Sequence, residues 1–188
     1  MDSWEKLNSE CAGCTRCALC ETRHTVVFGD GNPRARVMLI GEGPGEQEDL
    51  QGEPFVGPAG QLLDDMLELI DLHRSRLYIC NVVKCRPPRN RDPLAQEQDA
   101  CRHWLEAQIA RVQPKLIVCL GRIAASALIS EDFKITRQHG EWFSIRGIPA
   151  TAIYHPSALL RDPTKRPETF ADLRSIRSRA KQLCERLY

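Results

Sequence analysis

Six of the chain's nine cysteines are spaced for ligation. Cys11, Cys14, Cys17 and Cys20 form three overlapping C-x-x-C pairs. A C-x-x-C turn brings two thiolates within reach of one metal centre. Cys85 lies in a basic loop, and Cys101 follows 16 residues later. Two thiolates from the first run plus these two make a four-thiolate site, which suits either an iron–sulfur cluster or a structural zinc. Cys80 and Cys119 fall inside apolar runs and read as small core residues. An odd cysteine count also argues against a complete disulfide framework.

Three loops carry other chemistry. Gly41 to Asp49 (GEGPGEQED) holds three glycines and four acids. It lacks the Gly-Lys-Ser/Thr ending of a phosphate loop and the third glycine of a dinucleotide fingerprint, and its acids would repel a phosphate. Its glycines admit a close ligand, and its carboxylates are suited to positioning a water. Tyr154 to Arg161 (YHPSALLR) holds a histidine fixed by proline, then Leu159, Leu160 and Arg161. Apolar wedges beside arginine are a device for opening a base stack. Lys84, Arg86, Arg89 and Arg91 form a basic cluster with no acid inside it.

The elements that must position these loops follow from periodicity. Arg36–Gly41, Leu77–Val83 and Leu116–Leu120 read as buried strands. Leu62, Leu63, Met66, Leu67 and Ile70 recur at helical spacing from about Pro58. Asp92-Pro93 reads as a helix start, with the helix running to about Val112. Arg122 to Ile129 reads as a helix, Glu141–Ile145 with Pro149–Tyr154 as a hairpin, and Pro167–Leu187 as a last helix. Alternating strands and helices predict an α/β fold with a mainly parallel sheet, whose ligands bind beyond the carboxyl ends of the strands.

Composition narrows the function class. The length of 188 residues fits a single domain, here with an N-terminal cysteine-rich segment over about residues 11–20. The net charge of +1 hides an uneven distribution. Residues 21–70 hold ten acids and three bases, while 71–122 hold ten bases and five acids. The pattern points to a basic face for a polyanion. The first ten residues lack a cationic start and an apolar core, and the longest apolar run is Leu116–Leu120, so neither a secretory signal nor a membrane span is expected. A cytoplasmic, reducing location is expected, where surplus thiols signal metal or catalysis.

In combination these motifs resemble the iron–sulfur branch, family 4, of the uracil-DNA glycosylase superfamily. The likeness is carried by Arg23–Gly29 (RHTVVFG), Gly29–Pro33 (GDGNP), Gly41–Gly45 (GEGPG), Pro54–Gly60 (PFVGPAG), Asn81–Pro88 (NVVKCRPP) and His155–Arg161 (HPSALLR). The resemblance implies a three-layer α/β/α sandwich around a four-stranded, mainly parallel sheet. It implies a 4Fe–4S cluster on Cys14, Cys17, Cys85 and Cys101, with Cys11 and Cys20 as surplus thiols able to substitute.

The resemblance also implies roles. The partner is uracil-containing DNA, met by a monomer that flips the nucleotide into a pocket. Phe55 stacks on the base, Asn81 reads it, and Gly43 and Gly45 line the approach. Glu48 walls off the C5 side. His155 donates to the leaving base. The resemblance carries over no residue for the water, because Gly43 stands where other branches have Asp or Asn, and Glu42, with Glu48 second, is the remaining choice to position it. Lys84, Arg86, Arg89, Arg91 and Arg161 hold phosphates, and Leu159 and Leu160 fill the vacated stack. Other readings are a covalent uracil-DNA binder, a zinc-stabilised nucleic-acid module and a small ferredoxin-like electron carrier. Against the first, no histidine lies between Cys85 and Cys101.

Overall fold

Four of the strands consist wholly of buried residues or nearly so, as parallel strands covered on both faces must. They are β2 (Val37–Gly41), β3 (Leu77–Asn81), β4 (Leu116–Leu120) and β6 (Ile148–Ile153). The computed structural model describes residues 4–184. In it these strands pair in parallel in the order β3-β2-β4-β6. Two short antiparallel strands flank them, β1 (Asp30–Gly31) on β3 and β5 (Trp142–Ile145) on β6. The sheet is therefore a mixed one of six strands around the expected parallel four. The added β5 is one arm of the expected hairpin.

Alternation along the strands divides the core into two layers. Met38, Ile40, Tyr78, Cys80, Ile117 and Cys119 pack with residues of α1 (Trp4–Ala12), α4 (Ala95–Val112) and α5 (Arg122–Leu128). Val37, Leu39, Leu77, Ile79, Leu116 and Val118 pack on the other face with α3 (Pro58–Glu68) and α8 (Arg166–Leu183). Three shorter helices, α2 (Glu46–Gln51), α6 (Ile135–Gln138) and α7 (Pro156–Arg161), lie in the connections. Among the described residues no helix is long and apolar enough to cross a membrane.

Two helix boundaries differ from expectation. α4 starts at Ala95 rather than at Asp92-Pro93. Glu97 accepts from the backbone N–H of Leu94 at 2.8 Å and caps the helix there, while Asp92 is drawn to Arg122 at 2.6 Å. The last helix ends at Leu183 with the extended Cys184 as its cap, and the rest of the expected helix, residues 185–187, lies outside the described ones.

One buried carboxylate helps to fasten the N-terminal segment to the body. Asp49, fully buried in α2, accepts from the backbone N–H groups of His24 and Thr25 at 2.9 and 3.3 Å and lies 2.7 Å from His24 Nδ1. A buried carboxylate without such donors is strongly destabilising, and here the donors come from a segment that carries no regular structure. Removing the carboxylate orphans both N–H groups. Asp49→Ala is expected to cost about 3 kcal/mol, read as a lower urea midpoint with an unchanged m-value.

Candidate active site and cysteine cavity

Parallel pairing places the carboxyl ends of β2, β3, β4 and β6 on one edge of the sheet. Gly41 pairs with Asn81 at the ends of β2 and β3, Gly121 follows β4, and His155 follows β6. Beyond these ends lies a cleft of about 690 Å³. Of the residues singled out from sequence, Glu42, Gly43, Gly45, Glu48, Phe55, Asn81, Arg91, His155 and Arg161 line it.

The floor is built by missing side chains. A Cβ on Gly41 would come within 2.4 Å of Asn81 Oδ1 and 2.6 Å of Phe55 Cζ. Only glycine lets these two groups meet over the end of β2. Phe55 has φ 55°, a left-handed conformation that non-glycine residues rarely hold. Two contacts impose it. Arg74 donates to the carbonyls of Pro54, at 3.0 Å, and of Phe55. Gly60 leaves room for that Phe55 carbonyl, since a Cβ there would overlap it.

Asn81 is 2% exposed, and its Oδ1 is buried with no hydrogen-bond partner. Native structures rarely leave a buried acceptor unpaired, so an orphan in a cleft marks a place where a ligand's donor belongs. The ring of Phe55 lies 5.6 Å from that of His155, tilted by 32°.

His155 caps α7. Its Nδ1 accepts from the backbone N–H of Ser157 at 3.1 Å and lies 2.7 Å from Ser157 Oγ. An accepting Nδ1 carries no proton, so the neutral ring holds its proton on Nε2. Burial, with Arg161 adding to it, lowers the imidazole to about 4. The ring is neutral at physiological pH and presents an N–H donor with no protein partner among the described residues. Gly121, at φ 90°, makes room for it, since a Cβ there would lie 2.8 Å from His155 Cβ.

The two acids differ in availability. Burial and the neighbouring Asp92 push Glu42 up to about 7, against the pull of Arg122 and Arg161. Its carboxylate has no hydrogen-bond donor from the protein among the described residues. Glu48 has three: the backbone N–H groups of Gly45 at 3.1 Å, and of Val56 and Gly57 at 2.9 Å each. Its carboxylate ties the glycine loop to the Phe55 loop. Those bonds engage both oxygens and give Glu48 a structural part in the loop.

The basic loop also departs from expectation. Lys84 is 1% exposed, and its Nζ donates to Asn81 O at 2.7 Å and Gln108 Oε1 at 2.6 Å. It cannot reach a phosphate. Arg91 forms a bidentate pair with Glu97 at 2.7 and 2.9 Å. Arg86 donates to Asn90 Oδ1 at 2.7 Å and sits 3.7 Å from Glu46. Of the four, Arg89 alone is exposed with no ion-pair partner among the described residues. Leu159 is 1% exposed and belongs to the core, whereas Leu160 is 42% exposed on the next turn position. Helical geometry turns one leucine inward and the other outward. The cleft adds residues that sequence reading passed over: Arg122, Asp92, Tyr154 and Lys165. Gly41 and Gly121 carried a signal, since each glycine ends a buried strand.

The cysteines gather separately. Cys11, Cys14, Cys17, Cys20, Cys85 and Cys101 line one cavity with Arg23, Lys84 and Trp104. Among the described residues no three ligating side chains close on a single ion; the sulfurs ring the cavity. Donors are aimed at them: Arg23 Nη1 at Cys85 Sγ, 3.3 Å; Trp104 Nε1 at Cys14 Sγ, 3.4 Å; and the Lys84 backbone N–H at Cys101 Sγ, 3.3 Å. Three donors and three cationic residues, Arg16, Arg23 and Lys84, around a set of soft sulfurs fit an anionic group held by thiolates. Burial pushes Cys101 up to about 11 and Cys11 up to about 12, with Lys84 opposing both. Cys80, Cys119 and Cys184 are buried elsewhere, the first two in strands as expected.

Comparison with known proteins gives a consistent result. Residues 28–176 match the profile of the uracil DNA glycosylase superfamily. The Type-4 uracil-DNA glycosylase of Archaeoglobus fulgidus is 41% identical over 184 residues, covering 94% of this chain and 92% of that protein. Its namesake from Sulfurisphaera tokodaii is 43% identical over 96% of this chain and 86% of its own length. That of Thermotoga maritima is 46% identical over 79% of each.

The crowding at the cleft floor is open to test. Gly41→Ala is expected to displace the Phe55 ring and cost about 1–3 kcal/mol, read by thermal denaturation and by a crystal structure of the variant.

Proposed function

The chain belongs to the uracil-DNA glycosylase superfamily, and on that footing we propose that it excises uracil from DNA, with an iron–sulfur cluster in its cysteine cavity. One observation carries the reading: the buried, unpartnered Oδ1 of Asn81 beside the ring of Phe55. Uracil presents a donor at N3 and an acceptor at O4. The Asn81 carbonyl accepts from the first, and its amide donates to the second. Cytosine offers the reverse pattern, leaving both groups unpaired, which a buried polar site rejects strongly.

The base inside a duplex is out of reach, so the nucleotide must leave the stack. Leu160, exposed beside the cleft, fills the space the base vacates. Arg161, Arg122 and Arg89 take phosphates. Phe55 covers the face of the flipped uracil. Gly43 and Gly45 let the glycine loop close on it, and Glu48 holds that loop in place.

Cleavage breaks the bond from N1 to the sugar C1′ and leaves negative charge on the uracil. Donors set where charge develops are commonly the largest catalytic contribution. Nε2–H of the neutral His155 supplies one to O2. A neutral donor suits this task, because no proton has to be surrendered at the moment of cleavage. Water adds its oxygen to C1′, and Glu42 takes its proton. The proton on Glu42 then returns through solvent to the uracil anion, which restores the base, and the products are free uracil and an abasic site.

Cys14, Cys17, Cys85 and Cys101 hold the cluster. When bound it supplies a covalent cross-link from the N-terminal segment to the loop that follows Asn81. Arg23 reinforces that link by donating to the carbonyls of Cys14 and Ala12 as well as to Cys85. The enzyme acts as a monomeric single domain on the DNA of a bacterial or archaeal cell.

Alkaline treatment of a single-uracil oligonucleotide after incubation tests the reading. Strand scission at the uracil is expected with the wild type. His155→Ala is expected to lose at least about 100-fold in rate while still binding the DNA. An intact oligonucleotide after incubation with the wild type would refute the enzyme.

Glu42 makes a second prediction. As a base it must be ionised, and its raised value of about 7 places ionisation in the neutral range. The kcat/KM for uracil release is expected to rise between about pH 6 and 8, since this parameter reports the free enzyme's base. His155 stays neutral across that window and adds no limb. Glu42→Gln is expected to flatten the rise and lower the rate by about 100-fold or more.

A further inference from the structure

Lys84 has no part in the chemistry above, yet it is among the largest fully buried side chains. A buried ammonium is costly unless an opposite charge compensates it. Its hydrogen-bond partners are the Asn81 carbonyl and the Gln108 amide, both uncharged, and the Cys80 thiol. Gln108 is itself committed, donating to Phe28 O at 2.7 Å and Tyr78 Oη at 2.9 Å. The groups facing Lys84 that can become anionic are thiols, Cys11 and Cys101 in the cavity and Cys80 in β3. Burial raises the Cys80 thiol and keeps it neutral, so compensation falls to a thiolate-bound group in the cavity.

The same residue faces both sites. Its backbone N–H donates to Cys101 Sγ, and its Nζ pins the backbone carbonyl of the residue that reads the base. Only Val82 and Val83 separate the two. With an anion in the cavity, the ammonium is compensated and can hold the Asn81 carbonyl. Without one, an uncompensated charge sits beneath the base pocket.

We propose that Lys84 is a positioning residue that couples occupancy of the cysteine cavity to binding of the base at Asn81. The inference rests on the cluster and the uracil reading above, and it adds a thermodynamic link between them. Coupling of this kind is reciprocal: what the anion does for the base, the base must do for the anion.

The test uses the cluster-loaded full chain and free uracil as the probe. A chelator is added without oxygen, and the loss of visible absorption is followed with and without saturating uracil. In the wild type, uracil is expected to slow the loss by about fivefold, the lower end of common coupling. Lys84→Met is expected to lose its absorption faster and to gain no protection from uracil. Should that variant fail to fold, Lys84→Gln keeps a donor for the Asn81 carbonyl without the charge, and it too is expected to lose the protection. No effect of uracil in the wild type would overturn the coupling, and protection that persists in either variant would overturn the role of Lys84. A wild type with no visible absorption would remove the cluster itself. A loaded wild type that fails to bind uracil in calorimetry would remove the base reading. Either result takes the coupling with it, and each is told apart from a failure of Lys84 alone.

Discussion

Parallel pairing of β2, β3, β4 and β6 is the constraint from which the site follows. Strands that run the same way end on the same edge, so the loops after them must share one space. The chain passes from β2 outward to β3, then crosses back to β4 on the other side. At that reversal the connecting loops diverge and leave a crevice over the end of β2. Gly41, Asn81, Gly121 and His155 meet there because the ladder aligns them, although they span more than half the chain.

What the ladder brings together, side-chain volume would push apart. Glycines at 41, 60 and 121 remove the atoms that would collide with Asn81, Phe55 and His155. The left-handed Phe55 is held by Arg74 and by the Glu48 bonds to the two residues after it. Such a conformation costs on the order of 1–3 kcal/mol, met by the surrounding bonds. A pocket built this way is shaped before any ligand arrives, so little ordering remains to be done on binding.

The sequence disclosed most of this architecture. The three apolar runs and the helix periodicities gave the layers, and separated motifs in order gave the chemistry. Of the two flanking strands, β5 was legible as one arm of the hairpin, while β1 escaped because a two-residue strand has no period to detect. The errors in the site share a cause. Side-chain type alone pointed Lys84 and Leu159 toward DNA, whereas burial and partners decide what a side chain can do. A lysine in a basic loop looks like a phosphate ligand until its ammonium is seen turned inward. A leucine pair looks like a wedge until the helix separates its members. No single-sequence signal distinguishes these cases, since each depends on contacts distant along the chain.

The cysteine cavity draws its lining from both ends of a long stretch of chain. Cys20 and Cys101 are roughly eighty residues apart. During synthesis at about 5–20 residues per second, the first four thiols emerge on the order of ten seconds before the last. For that interval they are unprotected, without Trp104 or the Cys85 loop against them. Assembly of the cavity is therefore a post-translational or late co-translational event. The nascent N-terminus is the stage at which this protein is most open to oxidation and to capture by the wrong metal.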